Sequence, residues 1–247
     1  MLPDHLPFTA AGDLVRWVHI PGRGDPVVFL HGLGCHAGSS WGDIAVRLGR
    51  PAYLIDLPGH GRSDRPTEFD YSLPAMAAVM AIVIEHLAAG PVDVVSHSVG
   101  GSIAIVLADA RPELVRHSVL VEPAIDPVPI EPGSIAHYSD AEILAGGWED
   151  VLAAELDWRR CDMRLADPLA IVRLARHLSD AMGDSVHARL RDTTVPTTLV
   201  RGDLRDYARL NEYVQEGIAD VRIADAQHFV MHDQPEAFVG VLRAALS

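Results

Sequence analysis

Short apolar runs alternate with longer, helix-length segments along most of this chain, and Gly- and Pro-rich turns separate them. The short runs have the length and the β-branched content of buried strands, and the longer segments are typical of helices. The predicted strands are 14–20, 27–30, 52–55, 92–95, 118–121 and 197–201. The predicted helices are 41–49, 74–89, 103–110 and 235–246. Such alternation indicates an α/β fold in which helices cover both faces of a parallel sheet.

Residues 122–196 break this alternation. Prolines are dense at the start of the segment, and amphipathic helical stretches follow without an intervening strand. A helical insertion beyond the carboxyl end of a strand would lie over the crevice where such sheets bind ligands. We therefore predict a core made of residues 1–125 and 195–247, and a helical cap made of residues 126–194.

Composition and charge limit the classes of partner. The chain has 247 residues, 49% of them hydrophobic, which suits one α/β domain with an ample core. Its formal net charge of −14 disfavours nucleic acid or an anionic membrane as a partner. The apolar stretch 75–84 is too short to span a bilayer, and residues 1–11 lack the pattern of a secretory signal. We expect a soluble, cytoplasmic protein whose partner is a small-molecule substrate.

Cysteine and histidine usage predicts neither a disulfide nor a metal site. Cys35 and Cys161 are expected to stay reduced in a cytoplasmic chain. Four histidines show no ligand spacing typical of zinc: His31, His36, His60 and His97. We expect no zinc site.

The strongest chemical signal is Ser96-His97-Ser98-Val99-Gly100, which lies between a predicted strand and a predicted helix. A sharp strand-to-helix turn exposes a serine hydroxyl as a nucleophile, with small residues two positions before and after it. Ser98 is the predicted nucleophile, although Ser96 replaces the first glycine of the pattern G-x-S-x-G. The structural alternative is a turn whose small residues only permit close packing.

Two other loops should meet Ser98 at the same sheet edge. The turn His31-Gly32-Leu33-Gly34 follows a strand, and the backbone N–H groups of Leu33 and Val99 are the predicted oxyanion donors. The alternative is a glycine-rich turn needed only for chain reversal. The loop 56–64 is dense in turn formers and charges, and we expect Asp56 and Arg62 to hold it together rather than to act in catalysis.

The base and the acid are expected on later loops. His228 lies between the last predicted strand and the final helix, where a general base is needed. Asp206 is favoured as the acid that orients it, because it follows strand 197–201 at the start of a helix. Asp203 and Glu122, each near the end of a predicted strand, remain alternatives.

With these residues in view, the chain resembles the α/β-hydrolase fold superfamily over nearly all of its length. The motifs that carry the resemblance occur in the family's order at 28–34, 56–64, 96–101 and 227–229. The resemblance implies a mostly parallel eight-stranded sheet flanked by helices, a helical cap inserted after strand 6, and a cofactor-free triad of Ser98, Asp206 and His228. The chain departs from the family at Ser96. The family's pattern G-x-x-D places the acid on Arg205, one residue before Asp206.

These observations predict a serine hydrolase that cleaves a carboxylic ester, thioester or related acyl bond of a small molecule. A carbon-carbon bond hydrolase or lyase on the same scaffold is the alternative enzyme, because fold does not select the reaction. A small-molecule receptor with little turnover is the alternative of another class. Trp158 is the predicted substrate-binding residue of the cap. Further candidates are apolar at Trp148, Met163 and Met182, and cationic at Arg159, Arg160 and Arg164.

Overall fold

A single mixed sheet organises the chain. The computed structural model describes residues 4–125, 130–131, 134–180, 183–204 and 218–247. The strands are β1 (His5–Pro7), β2 (Leu14–Ile20), β3 (Val27–Leu30), β4 (Ala52–Asp56), β5 (Val92–His97), β6 (Val115–Val121), β7 (Thr197–Gly202) and β8 (Ala219–Ile223). They form an 8-stranded sheet in the order β1-β2-β4-β3-β5-β6-β7-β8. β1 and β2 are antiparallel to their neighbours, and the other pairings are parallel. The predicted mostly parallel sheet is confirmed.

Helices cover both faces of this sheet. The long helices of the core are α1 (Ala37–Leu48), α2 (Leu73–Leu87), α3 (Val99–Ala110) and α10 (Pro235–Ala245), which follows the short helix α9 (Val230–Asp233). α2 and α3 bury apolar side chains such as Met80 and Leu107 against one face. α1 and α10 cover the other face, where the rings of Trp41 and Phe238 stack 6.1 Å apart. The near-continuous apolar runs of the central strands follow from this two-sided burial.

Helix α1 begins one turn earlier than predicted. The apolar pattern indicated a start at residue 41, whereas the helix begins at Ala37. His36 caps it, since its Nδ1 accepts from the backbone N–H of Ser39. Asp56 of β4 accepts from the N–H of Ala37 at 2.8 Å. The start is therefore set by a partner distant in sequence, which periodicity does not register.

Between β6 and β7, the described residues form helices and turns only. They comprise α4 (Asp140–Glu142), a π-helical turn (Ile143–Gly147), α5 (Trp148–Ala154), α6 (Asp157–Met163), α7 (Pro168–Asp180) and α8 (Gly183–Arg191). These inserted helices, α4 to α8, include a small apolar cluster of Ile143, Val151, Leu152, Met163, Leu169 and Val172. The predicted helical insertion after strand 6 is present, and the exact bounds of the two units stay a prediction.

The strand order creates a crevice at the carboxyl ends of the parallel strands. β4 and β5 lie on opposite sides of β3, so the connections leaving β3 and β5 diverge there. Ligands bind at such a switch point in open α/β sheets. In the part of the chain that the structure describes, no helix is both long and apolar enough to cross a bilayer. Cys35 is buried, Cys161 is exposed, and both are free thiols.

Candidate active site

Ser98 occupies a strained turn between β5 and α3. Its backbone has φ 53° and ψ −120°, a conformation that costs a non-glycine residue roughly 1–3 kcal/mol. Its N–H donates to the carbonyl of Val121, and its carbonyl accepts from the N–H groups of Gly101 and Ala124. These bonds hold the strained backbone in place. Ser98 is half-buried between the buried residues His97 and Val99, so its side chain retains access to solvent.

Close backbone contacts explain the glycines around Ser98. A Cβ at Gly100 would lie 2.7 Å from the carbonyl oxygen of His31 and 2.8 Å from that of Leu30. Ser96, by contrast, is fully buried in β5, and its hydroxyl donates to the carbonyl of Val119 at 3.4 Å. The serine is tolerated at this position because its hydroxyl has an acceptor.

The predicted oxyanion loop lies against the nucleophile. A Cβ at Gly32 would be 3.2 Å from the Cβ of Ser98, so the loop backbone passes close beside the serine. Within the described ranges, the backbone N–H groups of Leu33 and Val99 have no hydrogen-bond acceptor. Two uncommitted N–H groups beside a serine form an environment that can stabilise a developing oxyanion.

A neutral histidine fixes the shape of this loop. His31 accepts from the N–H of Leu57 at its Nε2, so its Nδ1 carries the hydrogen and donates to the carbonyl of Gly32 at 2.8 Å. Complete burial lowers the pKa of His31 to about 4. His60 packs on it at a ring distance of 5.1 Å, and burial lowers the pKa of His60 to about 3. Both rings are therefore uncharged at neutral pH.

Asp56 ties the loop after β4 to helix α1. One carboxylate oxygen accepts from the N–H of Ala37, and the other accepts from the N–H of Arg62 at 3.0 Å. The side chain of Arg62 lies 3.6 Å from the same oxygen. A Cβ at Gly61 would be 2.4 Å from the Asp56 carboxyl carbon. The tight wrapping of this loop around one buried carboxylate gives it a structural role.

His228 and Glu122 face each other beside the Ser98 turn. His228 Nδ1 lies 3.5 Å from Glu122 Oε2, and neither atom has a hydrogen-bond partner among the described residues. The Glu122 side chain is fully buried, whereas 30% of the His228 side chain is exposed. The other oxygen of Glu122 accepts from the N–H of Gly202 at 2.7 Å. Glu122 has φ 47°, so a second strained residue stands at the end of a strand adjacent to β5.

The other two candidate acids have different places. Asp203 is exposed, and its Oδ1 accepts from the N–H of Asp225 at 2.8 Å, so it supports the turn that leads to His228. Asp206 lies outside the described residues. Sequence reasoning ranked Glu122 below Asp206. The signal that favours Glu122 is a charged residue that directly follows the buried strand β6.

Contacts with β7 and β5 position the His228 loop. A Cβ at Gly202 would lie 2.2 Å from the carbonyl oxygen of Ala226, so glycine is needed for this close approach. Leu204 N–H donates to the same carbonyl at 3.1 Å. His97 Nε2 donates to the carbonyl of His228 at 2.8 Å. Because burial lowers the pKa of His97 well below its ordinary range, this residue is a neutral support and not a second base.

A largely apolar groove adjoins His228. Its volume is about 640 Å³, and it is lined by Leu156, Trp158, Gln227, His228, Phe229, His232 and Asp233. Trp158 is 43% exposed, and its ring meets Phe229 edge-on at 4.8 Å. The predicted substrate residue therefore lies on the wall of a groove that reaches the base, and its role in binding stays a prediction.

The other candidate residues of the insertion differ in what they contact. Met163 packs on the oxyanion loop, since a Cβ at Gly34 would lie 2.8 Å from Met163 Cγ. Trp148 packs against the apolar cluster of the inserted helices. Arg160 donates to the carbonyls of Leu152 and Glu155. Arg164 is exposed, Met182 lies outside the described residues, and Arg159 faces the oxyanion loop.

Comparison with known proteins shows relatives of similar length. An esterase of Mycobacterium tuberculosis is 28% identical over 94% of this chain and 85% of its own. The lipase LipV of the same organism is 29% identical over 89% of this chain and 92% of its own. The 2-hydroxy-6-oxo-2,4-heptadienoate hydrolase of Pseudomonas putida is 32% identical, over 45% of this chain and 42% of its own.

The fold itself is shared with solved structures. An esterase from Exiguobacterium antarcticum superposes with a TM-score of 0.79 over 100% of both chains, at 21% sequence identity. A model of the alpha/beta hydrolase family matches residues 27–241. The chain therefore belongs to the alpha/beta hydrolase family and is a hydrolase.

Proposed function

We propose that this hydrolase cleaves the ester bond of a small molecule through Ser98, His228 and Glu122. The observation that carries the proposal is that two strained strand ends adjoin the His228 loop: Glu122 faces His228, and His97, the residue before Ser98, donates to the His228 carbonyl. Strain of this kind is maintained only where the surrounding structure enforces it, and it concentrates at active sites. The full-length similarity to an esterase and a lipase supports an ester as the bond attacked.

The proposed reaction has two halves. Ser98 Oγ attacks the ester carbonyl carbon while His228 Nε2 accepts the hydroxyl proton. The N–H groups of Leu33 and Val99 stabilise the oxyanion, and removal of one such donor typically costs about 3–4 kcal/mol of barrier. His228 then protonates the leaving alcohol. A water molecule, deprotonated by His228, attacks the acyl group and releases the carboxylic acid and free Ser98.

Glu122 is the proposed acid because its carboxylate is the one beside His228 in the described chain. A separation of 3.5 Å is long for a hydrogen bond, but catalytic hydrogen bonds are often long without substrate and tighten in the complex. The carboxylate holds the proton on Nδ1 and leaves Nε2 free for Ser98. Asp206, predicted from its position after β7, is the competing acid.

Matched substitutions separate the two acids. Glu122→Gln should lower kcat on a p-nitrophenyl ester by about 10³- to 10⁴-fold, since the wrong tautomer of the histidine is then stabilised. Asp206→Asn should keep kcat within about threefold of the wild type. The reverse pattern would make Asp206 the acid and Glu122 a structural residue.

Carbon-carbon bond hydrolysis is the second candidate reaction. It is favoured by the partial similarity to the 2-hydroxy-6-oxo-2,4-heptadienoate hydrolase, which covers less than half of this chain. Turnover of a vinylogous diketone without turnover of any p-nitrophenyl ester would replace the ester proposal. Binding of esters without sustained product release would instead identify a receptor.

A further inference from the structure

Arg159 of helix α6 reaches from the inserted helices to the wall of the candidate site. Its NH1 group lies 3.8 Å from the sulfur of Cys35, which follows the oxyanion loop. Its guanidinium carbon lies 5.5 Å from the centre of the Phe229 ring, the residue after His228. Arg159 thus lies between the loop that carries the proposed oxyanion donors and the loop that carries the base.

Only one of the three nitrogen atoms of the Arg159 guanidinium has an oxygen acceptor in the described chain. Its Nε donates to Glu155 Oε2 at 2.7 Å. Its two terminal amino groups face sulfur atoms, NH1 towards Cys35 and NH2 towards Met163, each at 3.8 Å. Sulfur is a weak acceptor, and guanidinium carries five N–H donors in a fixed fork. In the described chain, the two terminal amino groups of Arg159 therefore contact no oxygen acceptor. We call these two groups the outer edge of Arg159.

The carboxylates around this edge already have partners. Asp162, on the same helix, accepts from the hydroxyl of Ser39 and lies 3.5 Å from His36. Asp233, which lines the groove together with Phe229, accepts from the N–H of Gln227. Neither carboxylate is directed to the terminal amino groups of Arg159. An oxygen acceptor from a bound molecule would complete the arginine's hydrogen bonding.

We infer that Arg159 recognises a carboxylate on the substrate, so that the preferred esters carry a second, anionic group, as half-esters of dicarboxylic acids do. The inference rests on the proposed function and specifies its substrate class. The arginine fork matches a planar carboxylate through two parallel hydrogen bonds. Glu155 offsets part of the positive charge, so a singly charged carboxylate fits better than a doubly charged phosphate.

Two esters of equal acyl length test this inference. The acyl chain of p-nitrophenyl butyrate ends in a methyl group, whereas that of mono-p-nitrophenyl succinate ends in a carboxylate. Wild-type protein should prefer the succinate ester in kcat/KM by about tenfold or more. The double variant Glu155→Gln/Arg159→Gln removes both charges together and should lower the ratio of succinate to butyrate kcat/KM by about 10- to 100-fold. Most of this loss should appear in KM for the succinate ester.

A control variant and the ratio of succinate to butyrate kcat/KM separate recognition of the carboxylate from a purely structural role of Arg159. Arg191→Gln, on an exposed side chain of α8 paired with Asp192, should leave the ratio unchanged. An equal fall for both esters in the double variant would mean that Arg159 only positions the helix, and would overturn the inference. Turnover of the butyrate ester without preference for the succinate ester would overturn this inference but leave the proposed ester hydrolysis intact. If neither ester reacts and no phosphonate labels Ser98, the proposed function fails as well.

Discussion

Backbone strain in this protein concentrates at the residues proposed for catalysis. Ser98, Glu122 and Asp225 have φ values of 53°, 47° and 57°, and Tyr71 is the other non-glycine residue with positive φ in the described ranges. Ser98 is the proposed nucleophile, Glu122 the proposed acid, and Asp225 begins the turn to His228. Each conformation costs free energy, which the surrounding packing must offset. The surrounding packing therefore holds the site in its conformation, and small changes in that packing should affect activity.

The two ends of the Ser98 turn should respond differently to substitution. Gly100→Ala places a methyl group 2.7 Å from a backbone oxygen, so His31 and its loop must shift. We expect a loss of about 2 kcal/mol in the free energy of unfolding and at least a tenfold fall in kcat. Ser96→Gly removes a buried hydroxymethyl group and adds backbone freedom in β5, and it should lower the free energy of unfolding by about 1 kcal/mol.

Urea denaturation and ester kinetics on both variants measure these effects. Equal stability and activity for Gly100→Ala and the wild type would show that the loop accommodates a Cβ at no cost. A large loss in Ser96→Gly would show that this hydroxyl has a functional partner beyond the carbonyl of Val119.

Local pattern was sufficient for some site residues and insufficient for others. The turn around Ser98 is a short motif directly after the recognisable strand β5, whereas the loop around His228 follows β8, a strand that the apolar pattern did not predict. The contact between Glu122 and His228 joins two residues that follow different strands, β6 and β8. Predicting it requires the order of β6, β7 and β8 in the sheet and the close approach of Gly202 to Ala226. Neither is encoded by spacing along the chain.

Asp56 links three elements of the fold: strand β4, helix α1 and the loop 56–64. It ends β4, accepts from the first N–H of α1, and accepts from the loop at Arg62. Since α1 directly follows the oxyanion loop, the same carboxylate fixes where that loop ends. The loop 56–64 was expected to be structural, and these bonds give it that role.

Asp56→Asn should weaken both the fold and the reaction. The amide presents a donor group to one of the two backbone N–H groups, so one hydrogen bond to a charged acceptor is lost. We expect a fall of about 2 kcal/mol in the free energy of unfolding, and a decrease in kcat larger than any change in KM. Thermal unfolding and steady-state kinetics provide the measurements. Unchanged kcat with reduced stability would disconnect Asp56 from the oxyanion loop.

The element pattern could be predicted in the core better than in the insertion. Alternating runs identified the central strands, because burial on both faces makes them continuously apolar. The inserted helices were expected only as a group. Their packing on the core depends on single contacts, such as Met163 against Gly34 and Asp162 with Ser39, that no periodicity encodes.

At the scale of the whole molecule, buried neutral histidines couple stability to pH. Burial lowers the pKa of His31 to about 4 and of His60 to about 3, and it lowers the pKa of His97 well below the ordinary value of 6.5. In the unfolded chain these side chains bind protons near pH 6.5. The unfolded state therefore binds more protons than the folded state in mildly acidic solution, and stability falls as the pH decreases.

We expect the free energy of unfolding to decrease as the pH falls from about 6.5 towards 4. His31 alone corresponds to a loss on the order of 3 kcal/mol over this window, from its pKa of about 4. Unfolding near pH 5.5 should take up about three protons through these three residues. Urea unfolding at a series of pH values measures the slope. A flat profile between pH 7 and pH 5 would contradict neutral burial of these rings.

We propose Ser98 as an activated nucleophile, held at a strained turn beside the His228 loop. Intact-mass measurement after incubation with a serine-directed fluorophosphonate shows whether Ser98 reacts in this way. We expect one adduct per chain, located on Ser98 by peptide mapping, no adduct in Ser98→Ala, and much slower labelling in His228→Gln. No labelling of the wild type, or an adduct that persists in Ser98→Ala, would contradict it.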